Sequence, residues 1–366
     1  MIWIHYYGLE EEKMLIIELD SIEDVYDITV KDNENFYGDG ILVHNCAEIA
    51  LPTIPFAGVM DLYSHDSKGE IGLCNLMAIC AGKVTPSTYE KAAYYSLLMI
   101  DNVIDIMDYP FPSLETTAKA RRSAGIGITN LAYDMAKRGL KYDSQAGKDY
   151  MHRLAEMHSY WLHEASLKIS KEKGSNAPWI DRTKYPDGWL PIDTYSKQVD
   201  NITQQPLRFD WEDLRARIVA NGGIRNSVLE AFMPCESSSI ASNTANSIYP
   251  IRNAVVVKTD GDSKKIFIAP EWDTLKDNYQ FAWDIPTNDM IECYAIFQKF
   301  CGQAISADLY LKYSADGDGR KISSKQMLQE FLYRHKCGLK TRYYINSASG
   351  ISTSEEGGCA SGACKM

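Results

Sequence analysis

Apolar positions recur at helical spacing through most of the central chain. Thr85-Pro86 opens a run reaching about Tyr109, with Ala92, Ala93, Leu97 and Val103 along its apolar stripe. A second helical run spans Leu114 to Lys137, and a third runs from about Ala146 to Lys173 and stops at Gly174. Trp211 to Ala220 predicts a shorter helix, and Thr287 to Leu311 and Ser323 to His335 predict two more. Between them lie short apolar segments read as strands or buried extended chain: Gly69 to Leu76, Asn226 to Met233 and Leu339 to Ile345. Helices alternating with short apolar strands predict an α/β layer or barrel. The beginning differs. Val25-Tyr26-Asp27-Ile28-Thr29-Val30, then Asn35-Phe36, a Gly38-Asp39-Gly40 turn and Ile41-Leu42-Val43-His44-Asn45-Cys46 read as a short β-rich unit, too small to bury a sizeable core alone.

Composition narrows the class. At 366 residues and 45% hydrophobic content the chain can bury a substantial core as two domains or one large one. A net charge of -11 argues against a nucleic-acid groove or an anionic membrane as the main partner. No stretch has the apolar length of a membrane span, and Glu10-Glu11-Glu12-Lys13 arrives too early for a signal peptide, so a cytoplasmic location is expected. Nine scattered cysteines, an odd number, do not suggest a disulfide framework; thiol chemistry at a few of them is the better expectation. Cys80, Cys293, Cys301 and Cys337 lie in helical or apolar runs and read as core fillers. No internal repeat is present, and the only low-complexity stretch is the tail from Ser347.

Five constellations carry chemistry. In His44-Asn45-Cys46, Asn45 can close a succinimide on its own carbonyl and cut the chain before Cys46. His44 is placed to move the proton, and Cys46 to accept an acyl group. Cys46 and Glu48 stand two apart, so in extended chain a thiol and a carboxylate share one face. Pro234-Cys235-Glu236-Ser237-Ser238-Ser239 offers hydroxyls and backbone amides ahead of a helix, suited to a phosphate, although such runs also serve as plain caps and turns. Tyr343-Tyr344 in a strand would ordinarily pack one ring to each face. Cys359 and Cys364, separated by small residues and approached through Gly357-Gly358, make a mobile dithiol; no further ligand in the tail would complete a zinc site, and no metal is expected.

The stretch ending at Cys46 resembles the C-terminal end of an intein. A fragment of this length normally completes its fold with a larger N-terminal fragment, so the resemblance implies a split intein spliced in trans. It departs from the pattern at Glu34, where inteins often carry His, which implies slower splicing or another base.

From Cys46 to Met366 the chain resembles the C-terminal half of the large, catalytic α subunit of aerobic class I ribonucleoside-diphosphate reductases. The resemblance rests on Cys46 to Pro52, Arg121-Arg122-Ser123-Ala124-Gly125-Ile126-Gly127, Leu190-Pro191-Ile192-Asp193-Thr194-Tyr195, Arg225-Asn226-Ser227 through Ser239, Lys340-Thr341-Arg342-Tyr343-Tyr344 and Cys359 to Lys365. It implies the second half of a ten-stranded α/β barrel. Residues 1–45 would then be an all-β, Hint-type intein segment, 46–346 the half-barrel and 347–366 a redox tail. Cys46 would be the thiyl that abstracts the ribose 3′ hydrogen, Glu48 the acceptor of the 3′-hydroxyl proton, and Cys74 one of two thiols that reduce the 2′ position. Pro234, Cys235, Glu236, Ser237 and Ser238 would hold the substrate diphosphate, while Tyr343 and Tyr344 would relay the radical. Cys359 and Cys364 would re-reduce the active-site disulfide and pass the oxidation to thioredoxin or glutaredoxin. No cofactor would bind directly: the radical would come from the metal cofactor of a small subunit, and allosteric nucleotides would bind a separate N-terminal half.

That half would also supply the partner of Cys74 and an Asn two residues before Cys46, where His44 stands. The combined expectation is a trans-splicing precursor of the reductase, active after joining. The alternatives are an unspliced subunit that complements its other half non-covalently, or an inactive regulator that binds the small subunit. Effector response, base preference, the small subunit's metal, oligomeric state and the role of Cys235 are not legible in the sequence.

Overall fold

The structure, a computed structural model, describes residues 47–260, 263–313 and 324–349, with four short strands before them. Those four are β1 (Ile2–His5), β2 (Leu15–Glu18), β3 (Asn35–Gly38) and β4 (Ile41–His44). They pair antiparallel as β1 with β2 and β3 with β4. Two separate ladders are β structure, as expected, but no intein fold is evident in them.

The centre of the molecule is a run of parallel strands. β5 (Asn75–Cys80) pairs with β6 (Ala124–Thr129), Asn75 opposite Ala124. Parallel bridges carry the pairing on from Ile126 to Glu230 and from Phe232 to Ile305. The Ile305 segment continues into β9 (Leu309–Tyr313), which pairs in parallel with β10 (Ile345–Ser349). Five chain segments therefore lie side by side in one direction: β5, β6, residues 228–232 as the third strand of the array, residues 303–313 including β9 as the fourth, and β10 as the fifth. Among the described residues they do not close into a barrel. An antiparallel hairpin, β7 (Val255–Asp260) with β8 (Ser263–Ile268), stands apart from this array and was not expected from the sequence.

Parallel strands need helical crossovers that also cover a face. Here α1 (Tyr89–Ile106), α4 (Gln145–Lys173) and α9 (Thr287–Lys299) do so, sharing one core with the strands. α4 matches its sequence reading: Ser144 caps its start by accepting from Gly147 N at 3.0 Å, and Gly174 closes it at φ 70°. Shorter helices fill the connections: α2 (Pro112–Arg121), α3 (Leu131–Lys137), α5 (Val199–Ile202), α6 (Trp211–Ala220), α7 (Glu236–Ser242), α8 (Trp272–Leu275) and α10 (Ser324–Lys336). No helix among the described residues is long and apolar enough to cross a membrane.

Two expected helices are corrected. The run from Leu114 to Lys137 is α2, then β6, then α3. Arg122 ends α2 in the left-handed region at φ 49°, and the two glycines of Ala124-Gly125-Ile126-Gly127-Ile128-Thr129 are poor helix formers. The run from Thr287 to Leu311 stops as helix at Lys299; a turn follows, then the parallel bridge at Ile305 and the start of β9 at Leu309. Lys340 Nζ explains the break, because it donates to the carbonyls of Cys301, Gly302 and Gln303 at 3.2, 2.7 and 2.9 Å and stabilises a turn there.

The crossovers are tied by buried charge. Asp101 of α1, fully buried, accepts from Arg122 Nε at 2.5 Å and from Arg225 Nε at 3.2 Å. One carboxylate thus joins α1, the end of α2 and the start of the third strand. Removing one member of such a cluster strands the others. Asp101→Ala is expected to cost about 3–5 kcal/mol, read as a lower urea midpoint.

Candidate active site

β6 shows which face of the array the candidate residues share. All six of its residues are buried, and they alternate in size. Ile126 and Ile128 belong to the core shared with the helices, where His158 of α4 meets the Ile126 carbonyl at 2.9 Å. Gly125, Gly127 and Thr129 point the other way. A Cβ on Gly125 would lie 2.7 Å from Ile49 Cδ1, 2.6 Å from Leu76 Cδ2 and 3.3 Å from Cys74 Sγ, and one on Gly127 would lie 2.7 Å from the Ala231 carbonyl. Small residues here make room for the 47–50 segment to cross the face.

That segment is bound to the fourth strand. Ala47 N donates to Ser306 Oγ at 3.1 Å, and Ser306 Oγ donates to Glu48 Oε2 at 2.5 Å. Ala304 N donates to the Glu48 carbonyl at 2.8 Å, and Ala50 N to Gln303 Oε1 at 3.0 Å. Glu48 is only 2% exposed, so its carboxylate is placed inside the fold with a hydroxyl on one oxygen.

Two thiols stand near that carboxylate. Cys74, half-buried and immediately before β5, has its thiol pushed up by burial and then by the charge of Glu48. Cys235, at the end of the third strand, is raised to about 11, chiefly by burial; hydrogen bonds with Thr129, Ser238 and the Ser247 backbone pull the other way, and Glu48 adds a small rise. Both thiols are therefore protonated at neutral pH. Cys235 holds a left-handed backbone at φ 57°, which starts α7. Ser238 is exposed and Ser239 buried, its Oγ donating to Asn246 Oδ1 at 2.6 Å, while Glu236 pairs with Arg252 at 3.0 Å.

The tyrosine pair departs from strand geometry. Tyr343 N donates to the Ala307 carbonyl at 3.2 Å, after which regular parallel pairing would send Leu309 N to the Tyr343 carbonyl. It goes instead to the Tyr344 carbonyl at 2.9 Å. One residue is extra on this side, a parallel β-bulge, and it cancels the usual alternation of faces. The rings lie 3.9 Å apart, centroid to centroid, tilted by 41°. Thr341 Oγ1 donates to the Ile305 carbonyl at 2.7 Å, so the Lys340-Thr341 pair stitches this strand to the one that holds Glu48.

The structure thus brings together Glu48, Cys74, Cys235 and the backbone that carries Tyr343 and Tyr344. Asn45, Cys46, Cys359 and Cys364 lie outside the described residues, as do the side chains of His44 and Ser237. The expectation of one tyrosine ring to each face is corrected by the bulge. Arg121 and Arg122 pair with Glu70 and Asp101, and Asp193 pairs with Arg215, so those motif residues support the fold. Cys293, Cys301 and Cys337 are buried, and Cys80 is half-buried. Gln303, Ser306 and Asp308 were missed, because they fell in a run read as helix; the Gly302 break after Lys299 was the available signal.

Asp308, beside the tyrosine bulge, is 3% exposed. Its Oδ1 accepts from Tyr344 N at 3.2 Å, and its Oδ2 accepts from Asn346 Nδ2 at 3.0 Å and Tyr310 OH at 3.3 Å. Burial pushes its carboxyl up to about 6; the charge of Arg252 and the Asn346 bond oppose that rise.

A family model described as "Ribonucleotide reductase, barrel domain" matches residues 32–345, beginning upstream of Cys46. The ribonucleoside-diphosphate reductase subunit alpha of Haemophilus influenzae is 41% identical over 326 residues, covering 88% of this chain and 42% of that protein. The subunit of the same name from Enterobacteria phage T4 is 34% identical over 334 residues, with the same two shares. The reductase 1 subunit alpha of Escherichia coli is 39% identical over 272 residues, 72% of this chain and 35% of that one. The chain therefore spans less than half the length of these curated relatives.

Two outcomes follow from this geometry. Gly125→Ala is expected to lower stability by about 1–3 kcal/mol through overpacking against Ile49 and Leu76, and an unmoved urea midpoint would mean that neither rests on it. Because the Asp308 pKa is raised on folding, its contribution to stability is full below about pH 4 and is lost as pH rises through about 6. Asp308→Asn should therefore melt higher than the parent at pH 7.5, by up to about 3 kcal/mol of stability, and lose that advantage at pH 4.

Proposed function

The chain belongs to the ribonucleotide reductase barrel-domain family, and we propose that it carries the reacting groups of a ribonucleoside-diphosphate reductase. The observation that carries this reading is the convergence of Glu48, Cys74 and Cys235 at the start of α7 on one face of the parallel array, with the tyrosine pair one strand away.

In this reading the five parallel segments are half of a ten-stranded barrel. Cys46, one residue before Ala47 in the sequence, takes the 3′ hydrogen atom of the ribose as a thiyl and becomes a thiol. Glu48 accepts the 3′-hydroxyl proton, and the Ser306 hydroxyl holds its carboxylate in place. The protonated Cys74 gives up hydrogen at the 2′ position and ends in a disulfide with a thiol from the N-terminal half. The 2′ hydroxyl leaves as water; Glu48 then returns its proton and the Cys46 thiol returns its hydrogen atom to the 3′ carbon, regenerating the thiyl. The 234–238 loop holds the diphosphate, with Cys235 packed beneath it as a buried support. Tyr343 and Tyr344 carry the radical in from a small subunit, whose metal cofactor supplies it. Cys359 and Cys364 reduce the disulfide and hand the oxidation to thioredoxin or glutaredoxin.

The His44-Asn45-Cys46 triplet supports a second step, trans-splicing. Cleavage at Asn45 with transfer of an upstream acyl group to Cys46 would rejoin the two halves and restore an Asn two residues before the thiol.

The test is intact-mass analysis after mixing the chain with its N-terminal partner, followed by a reductase assay. A product fused at Cys46 that forms deoxynucleoside diphosphate, and loses that activity on Cys46→Ser or Glu48→Gln, is the expected result. An unchanged mass with active complex would reject splicing and leave a two-chain reductase. A fused but inactive product would reject the reductase reading.

A further inference from the structure

A buried carboxylate that accepts only from neutral donors is costly, since desolvation is not offset by a bonded cation. Asp308 is such a group among the described residues: its three partners are the Tyr344 amide, the Asn346 amide and the Tyr310 hydroxyl. Its position coincides with the bulge. At the extra residue the ladder bonds run from Tyr343 N to the Ala307 carbonyl and from Leu309 N to the Tyr344 carbonyl, while Tyr344 N donates to the Asp308 side chain. Asp308 Oδ1 takes that amide, and Oδ2 ties Asn346, two residues further on, to the same strand. The side chain thus clamps the bulge from both ends.

We propose that Asp308 is a positioning residue for the tyrosine pair: its carboxylate holds the bulge that sets the Tyr343 and Tyr344 rings against each other. This rests on the radical-relay reading above and adds to it the group that fixes the relay geometry. Without an acceptor for Tyr344 N, the cheapest repair is to shift the strand by one residue into regular register. That shift would return the two rings to opposite faces of the sheet.

Charge matters as well as shape. A carboxylate holds an amide more strongly than a neutral carbonyl does, so protonation of Asp308 loosens the clamp. The groups facing it are Arg252 on the loop after α7, Glu236 on α7, Arg334 on α10, Tyr294 on α9, and Tyr249, Tyr310 and Tyr344. Glu236 and Arg252 are bonded to each other and act on Asp308 in opposite directions, Arg252 the more strongly. The carboxyl titrates near 6, so the clamp weakens as pH falls through that value.

The test uses the joined subunit assembled with its small subunit, with ribonucleoside diphosphate as substrate. Tyr343→Phe and Tyr344→Phe serve as controls for the relay, and Asp308→Ala and Asp308→Asn test the clamp. Asp308→Ala is expected to lower kcat by about 100-fold with KM unchanged, the scale of an ångström-level misplacement. Asp308→Asn keeps an acceptor but no charge; it should fall between the two and no longer lose turnover as pH is lowered through 6, while the parent does. Activity in either Phe variant would overturn the relay reading, and the proposal with it. Inactive Phe variants alongside an Asp308→Ala protein within twofold of the parent would overturn the clamp alone. If Asp308→Ala does not fold, Asp308→Asn decides: retention of the parental fall below pH 6 overturns the proposal.

Discussion

The 303–308 segment takes hydrogen bonds from every side. Gln303, Ala304 and Ser306 fasten the segment that carries Glu48, and Phe232 exchanges backbone bonds with Ala304 and Ser306 on the neighbouring strand. Lys340, Thr341 and Tyr343 close it from the other edge, and Tyr249 OH donates to the Ser306 carbonyl. A carboxylate and an aromatic pair, far apart in sequence, therefore share one backbone scaffold. Displacing this strand by one residue would unseat both, which is why its register is the constraint on which the remaining site depends.

The same logic explains the molecule's buried charge. Asp101 with Arg122 and Arg225, and Glu230 with His163 at 3.2 Å, join crossover elements to the strands. In the second pair the Glu230 carboxyl stays below the usual carboxylate range and the His163 imidazole above its own, each held by the other against the cost of burial. These clusters are satisfied by charge. Asp308 is not, and its cost is consistent with a role in geometry rather than stability.

Helices were legible where periodicity, caps and length agreed. The helical run and the Gly174 stop placed α4 to within a residue of its observed bounds, and the structure adds the Ser144 cap. β6 was hidden because its alternation is between isoleucine and glycine, not apolar and polar, and both faces are buried. The fourth strand was hidden because its apolar run continues directly from α9, and the turn between them is stabilised by a lysine almost forty residues later. Glu48, Cys74 and the tyrosines were singled out by residue type and order, and the structure sets Glu48 and the tyrosine backbone on one scaffold with Cys74 near the Glu48 carboxylate. The groups that position them were not singled out, since Gln303, Ser306 and Asp308 acquire meaning only from non-local pairing. The tyrosine bulge is the extreme case: no local signal marks where a ladder slips.

What this chain organises by itself bears on how a divided site could work. Glu48 is buried and its segment is bound by Ser306, Ala304 and Gln303 of the same chain, and Cys74 rests against Gly125 beside it. The geometry of these groups is thus set within one set of strands. A second half of a barrel would cover the functional face and bring further reacting groups, but it would not have to arrange those already present. Preorganised electrostatics of this kind is usually the largest contribution to catalysis, and it survives division when the cut falls before the scaffold strand rather than through it. A break at Cys46 would meet that condition, because among the described residues the bonds of the Glu48 segment run to residues after it.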